Sequence, residues 1–175
     1  MRRTLVVPLL LVLFFVAVVP VAQADGLEPL IITPYRGGPE FYAAAGQEVI
    51  IRAHWLACNR GLTEAFIHAA SVSMEVTLPD GSRYLTVEPP SRGYWSSPAA
   101  TETPVPSECI AGGANTLWGT EWLYSLGQLQ PGDYELHFVW AFDHQLADGG
   151  DWDGDGRIDK VSGVLQDRTI TIHVS

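Results

Sequence analysis

The sequence predicts an all-β fold, a sandwich of about seven or eight strands with long loops. Three observations carry this. Turn signals recur about every ten residues, and the segments between them alternate apolar and polar side chains. Only one short stretch admits a helical reading. Residues 25–175 are enough for one hydrophobic core and too few for two.

The first element is a leader, residues 1–24. Arg2 and Arg3 precede an apolar run from Leu5 to Val19, Pro20 ends any helix, and Ala22-Gln23-Ala24 offers a small-x-small cleavage site. The competing reading is an uncleaved anchor, since the run approaches the ~18–20 residues that span a bilayer. The breaker and the small residues after it favour cleavage after Ala24. The product is a secreted or cell-surface domain, 25–175, with no membrane span. Of the ten basic residues, losing Arg2 and Arg3 leaves 8 against 20 acidic ones. That surface repels nucleic acid and anionic membranes and attracts cations.

"EVIIRAHWLA", 48–57, is apolar on both sides of its alternation and reads as a central strand. "TEAFIHAA", 63–70, is the one candidate helix, short enough to be a loop instead. From Val72 to Leu78 the apolar residues alternate with Ser73, Glu75 and Thr77, and Pro79-Asp80-Gly81 turns the chain into a second strand near 83–87. Between Pro89 and Thr116 five prolines and Gly112-Gly113 make an irregular stretch. Tyr134, Leu136, Phe138, Trp140 and Phe142 share one strand face, and Ile170, Ile172 and Val174 close the chain in the same manner.

Cys58 and Cys109 are the only cysteines, and an oxidising compartment makes a disulfide their natural state. Two free thiols are the alternative, because spacing alone does not prove geometry. A bridge would pin the irregular stretch to the end of the 48–57 strand.

"LGQLQPGDYELHF" spaces Leu129, Pro131, Gly132 and Tyr134 as in a tyrosine corner, where a Tyr at a strand start bonds back across the preceding turn. Here the chain resembles immunoglobulin-like and fibronectin type III-like sandwiches over its last strands. It departs from antibody-type domains, because no cysteine lies on the strand after Tyr134. Cys58 and Cys109 therefore cannot form their inter-sheet bridge.

The most informative stretch is "DGGDWDGDGRIDK", 148–160. Six of the ten aspartates fall between Asp143 and Asp159. Their mutual repulsion needs water, screening or a cation to offset it. Asp151, Asp153 and Asp155 alternate, Gly156 follows, and Asp159 comes after Ile158: the D-x-D-x-D-G-x-I-D opening of a calcium loop. Hard oxygen donors without imidazole or thiolate suit Ca²⁺ over zinc or copper. The stretch resembles the loops of EF-hands, dockerins and thrombospondin type 3 repeats. That likeness implies side-chain ligation by Asp151, Asp153 and Asp155, carbonyl ligation by Arg157, and Asp159 directly or through water. An EF-hand's twelfth-position Glu is replaced here by Ser162, and flanking strands stand in place of helices. The missing oxygens are expected from Asp148 or Asp143, just upstream, or from water. A solvated acidic turn is the bland alternative.

No enzyme is expected. There is no H-E-x-x-H and no G-x-S-x-G. His54 and His137 lie on strands, where a hydrogen-bonded structural role is the default. Asp143-His144 are neighbours that a regular strand would point apart. Glu121 and Glu135 carry no spacing that makes them a glycosidase pair. Trp55 and Trp140 suit the core. The expected role is a non-catalytic, calcium-binding domain for adhesion, assembly or support, with an extracellular protein or glycan as partner. The alternative is a carbohydrate-binding module stacking sugars on Trp95, Trp118 and Trp122, although packing is the default for these too.

Overall fold

The computed structural model describes residues 26–89, 92–111 and 115–175; the leader expected over 1–24 and Gly112-Gly113 lie outside the described residues. Strict alternation shapes the larger of two sheets. In β4 (Ala70–Thr77) Ala70, Val72, Met74 and Val76 are buried while the residues between them are half-exposed. β8 (Gly132–Ala147) buries Tyr134, Leu136, Phe138, Trp140, Phe142 and Leu146, and β9 (Lys160–Val174) buries Ile170, Ile172 and Val174. With β2 (Glu40–Ala43) and β5 (Arg83–Val87) they form a five-stranded sheet in the order β2-β9-β8-β4-β5. The second sheet has four strands, β1 (Leu30–Ile32), β3 (Glu48–Ala57), β7 (Trp118–Gln128) and β6 (Ala99–Ala100), in the order β1-β3-β7-β6.

One core joins the inward rows of both sheets. Trp122 of β7 meets Phe138 of β8 edge-on, with ring centroids 6.1 Å apart. Fully burying side chains of this size stabilises by about 1.5–3 kcal/mol each. The fold is thus all-β apart from one helix and one 3₁₀ turn, and it has nine strands among the described residues. The excess over the expected seven or eight comes from β1 and β6, whose three and two residues are too short to display a period.

The helix α1 (Arg60–Ala69) starts before the stretch that the sequence singles out. The cause is Asn59, whose side chain accepts the Leu62 N–H at 3.0 Å and caps the first turn. Phe66 on its inner face stacks on Trp55, 4.6 Å between centroids, and meets Trp95, Trp140 and Phe142 edge-on. The central position expected of β3 holds, since it pairs with β1 and β7. Its cover on both faces does not: Val49, Ile51 and Ala53 are buried, while Arg52, His54 and Leu56 look outward. Strands β8 and β9 also run longer than expected, to Ala147 and from Lys160, where the sequence places their ends near Phe142 and Val164. Pairing of Leu146 and Ala147 with Val161 and Lys160 leaves a loop of 148–159. No helix among the described residues is long and apolar enough to cross a membrane.

The Tyr134 hydroxyl donates to the Gln130 carbonyl at 2.9 Å, from a ring that is buried. Tyr134→Phe removes that donor and strands the carbonyl, so it should destabilise by about 1–2 kcal/mol. An unchanged denaturant midpoint would show the bond to be idle.

Candidate metal centre at the β8–β9 loop

The loop begins as a close-packed base. Cys58 N–H donates to the Asp148 carbonyl at 2.7 Å, Ala111 N–H to Gly149 at 3.0 Å, and Asp151 N–H to Glu108 at 2.8 Å. Cys109 and Gly150 form an isolated bridge, and Cys58 and Cys109 are joined as a disulfide with their Cα atoms 5.6 Å apart. The bridge thus holds the irregular stretch against the end of β3, as the sequence suggests, and the acidic loop rests on both of its ends.

This contact explains "DGGD". A Cβ on Gly149 would stand 2.8–2.9 Å from Leu62, Ala111 and Cys58, and φ there is +93°. A Cβ on Gly150 would lie 2.3 Å from the Trp152 indole, which folds back over it. The two glycines are required by close approach. Asp148 completes the base: its Oδ1 accepts the Gly150 N–H and its Oδ2 accepts Trp152 Nε1–H, both at 2.9 Å.

Beyond the base the aspartates organise the chain around themselves. Asp151 Oδ1 accepts the N–H groups of Gly154 and Asp155 at 2.9 and 3.0 Å, and its Oδ2 accepts that of Gly156 at 2.9 Å. Asp153 takes the Asp155 N–H at 3.1 Å, Asp155 takes the Arg157 N–H at 2.8 Å, and Asp159 takes the Trp152 N–H at 2.6 Å. Gly156 adopts φ +83°, the sharp turn read from the sequence. The outcome is a loop whose amides are bonded to carboxylates while those carboxylates keep further lone pairs.

Oxygens of Asp151, Asp153 and Asp159 lie within 4.8 Å of one another. Asp155 is exposed and stands outside that group, as does Arg157, whose side chain is exposed. Asp148, read from the sequence as a source of missing oxygens, accepts one bond on each oxygen, from Gly150 and Trp152. Asp143 belongs to β8 and pairs with His144 Nδ1 at 2.7 Å. That contact corrects the expectation that the two point apart: the pairing of β8 with β9 is irregular between Phe142 and Leu146, which breaks the alternation. Both residues remain exposed.

The tryptophans read as a sugar platform are mostly interior. Trp122 is 0% and Trp95 8% exposed, and both belong to the core. Trp118 is half-buried with the Arg60 guanidinium 5.7 Å from its ring centre. Trp152, at 52%, is the exposed one. Interior packing, the default expected of Trp95, Trp118 and Trp122, holds for Trp95 and Trp122. Glu121 and Glu135 project from different sheets, on β7 and β8. His137 Nε2 lies 2.8 Å from Asp167, and His54 Nδ1 2.5 Å from the Tyr35 hydroxyl, so each strand histidine has a partner.

No family model and no curated protein matches this chain. Among solved structures it is similar to "Solution Structure of Amebosin" at 11% identity and a TM-score of 0.30, over 85% of this chain and 99% of that one. A likeness at that level carries no argument about fold or function.

Two outcomes follow from the base of the loop. Replacing both cysteines by Ser should cost about 3–4 kcal/mol by the loop-closure estimate for a separation of 51 residues; equal stability of the variant and the oxidised protein in urea would refute it. Gly150→Ala should destabilise by about 1–2 kcal/mol, chiefly by evicting the indole from its bond to Asp148. In a Trp152→Ala background the same change should cost much less, a coupling measured by a double-mutant cycle. Additive effects would mean that Trp152 is not what Gly150 accommodates.

Proposed function

We propose that this chain is a non-catalytic, extracytoplasmic domain with an immunoglobulin-like sandwich fold, which holds one calcium ion in the loop 148–159 and serves in adhesion, assembly or structural support. The observation that carries the reading is the convergence of Asp151, Asp153 and Asp159 within 4.8 Å on a loop already braced by its own amide bonds. Like charges so close repel, and a divalent cation offsets that repulsion where water does so only in part. The donor set is all oxygen, which suits calcium.

The side chains of Asp151, Asp153 and Asp159 would hold the ion, with Asp155 and the Arg157 carbonyl following from the likeness to EF-hand-type loops. Waters would fill the rest of a shell of 6–8 oxygens. Asp148, whose oxygens accept the Gly150 and Trp152 N–H groups, would contribute through a remaining lone pair. The ion's task is structural: it would stiffen the tip of a long two-stranded arm whose base the disulfide already secures. The Tyr134 bond, the disulfide and the two-sheet core support the sandwich and the extracytoplasmic setting.

Calcium that binds only the folded state stabilises by about 2.7 kcal/mol at 100 times Kd. The melting temperature should rise by roughly 5–10 °C over the value in chelator. Magnesium should substitute poorly, because it wants a tighter octahedral shell and sheds water reluctantly. Asp151→Asn with Asp153→Asn should erase the calcium response and leave the far-ultraviolet circular dichroism spectrum unchanged. No calorimetric heat with calcium, and a melting temperature indifferent to chelator, would reduce the loop to a solvated acidic turn.

A further inference from the structure

The outer face of the four-stranded sheet carries a groove of about 410 Å³, far from any role in the acidic loop. On β3 the outward row is Arg52, His54 and Leu56; on β7 the facing positions are Leu123, Glu121 and Gly119. The Leu56 and Thr101 side chains close over Gly119: a Cβ there would stand 3.0 Å from Leu56 and 3.2 Å from Thr101. Two-residue β6 and the chain after it, through Thr101 and Thr103, form the opposite wall.

The polar groups at one end are already arranged. Arg52 Nη2 is ion-paired to Glu121, and both side chains remain over a third exposed. The Glu121 N–H donates to Ser96 Oγ at 3.0 Å, and Thr120 Oγ1 donates to the Ser96 carbonyl at 2.7 Å, which fastens the wall to β7. The Tyr35 hydroxyl accepts the His54 backbone N–H at 3.0 Å and lies 2.5 Å from its Nδ1. Burial, then the charges of Arg36 and Arg52, holds the His54 imidazole below its usual range. Arg52 Nε and Thr101 Oγ1, both on residues of this groove, are enclosed and have no hydrogen-bond partner.

We propose that this groove is a binding site for a neutral saccharide, with Arg52 and Glu121 gripping adjacent hydroxyls and Leu56 and Ala99 receiving the C–H face of the ring. A preformed ion pair has no net charge to offer an ionic ligand. It does present a donor and an acceptor side by side, and a vicinal diol supplies the complementary acceptor and donor as charge-assisted hydrogen bonds. Leu56, Ala99 and Gly119 give the apolar floor that the non-hydroxyl side of a sugar needs. An acidic sugar would have to break the pair to use Arg52, against the Glu121 charge. The size lies in the usual range for small-ligand sites.

The full domain would be applied to an array of neutral, sialylated and sulfated oligosaccharides, and the hits titrated by amide-resolved NMR. Binding to neutral glycans, with the largest shifts at Gly119, Glu121 and Arg52, is the expected result. Glu121→Gln should weaken it at least tenfold, and Gly119→Val should abolish it by pushing Leu56 and Thr101 out of the groove floor and wall; if the latter fails to fold, Glu121→Gln decides. The Asp151→Asn, Asp153→Asn variant should bind the glycan as the wild type does, which separates this site from the calcium loop. Absence of neutral-glycan binding, preference for the acidic glycans, or shifts centred elsewhere would overturn the proposal.

Discussion

Phe66 is the point at which both sheets and the helix meet. Its ring lies flat on Trp55 of β3 and edge-on to Trp140 and Phe142 of β8, so one side chain bridges the strands that head each sheet. Aromatic pairs in these geometries add about 0.5–1.5 kcal/mol each beyond the area they bury. The helix that carries Phe66 is also the connection by which the chain leaves one sheet and enters the other, from β3 to β4. Thr63 of the same helix donates to the Trp118 carbonyl at 3.1 Å, tying the start of β7 to it. Both candidate sites inherit their geometry from this junction. Cys58, which anchors the acidic loop, directly follows β3, and the groove lies on the opposite face of that strand.

Period two is legible in the sequence wherever a strand is long and buried on one side. Val72 to Leu78, Tyr134 to Phe142 and Ile170 to Val174 all meet this condition, and the core follows their alternation. The alternation says nothing where strands are two or three residues long, as in β1 and β6. It also misleads in β3, because Ile50 and Leu56 make its outer face read as apolar while Arg52 and His54 between them leave it open to solvent. Those two polar residues at alternate positions are the signal that could have located the groove. Gly119 could not have been weighed without knowing that Leu56 and Thr101 flank it.

The acidic loop shows the same division. The register of Asp151, Asp153 and Asp159 is a local property, and the sequence carries it in full. Asp148 is governed by the return of Trp152 over Gly150, a local turn that no metal-loop spacing rule anticipates. Gly149 and Gly150 look like flexibility in sequence. In the fold Gly149 packs against Leu62, Ala111 and Cys58, and Gly150 against the Trp152 indole.

The amino-terminal strands β1 and β2 divide between the sheets, and each pairs parallel to its neighbour. β1 joins β3 nearby in sequence, but β2 joins β9, so Glu40–Ala43 lies beside Thr171–Val174 at the far end of the chain. Among the described strand pairings that contact closes the longest loop, and such contacts slow folding because the entropy of closure is lost before the bonds form. Until it forms, β9 presents an unpaired edge of alternating apolar residues, the surface on which other chains add strands. Residues 40–43 thus stay unpaired until 171–174 have been made, an interval in which both edges are open to other chains.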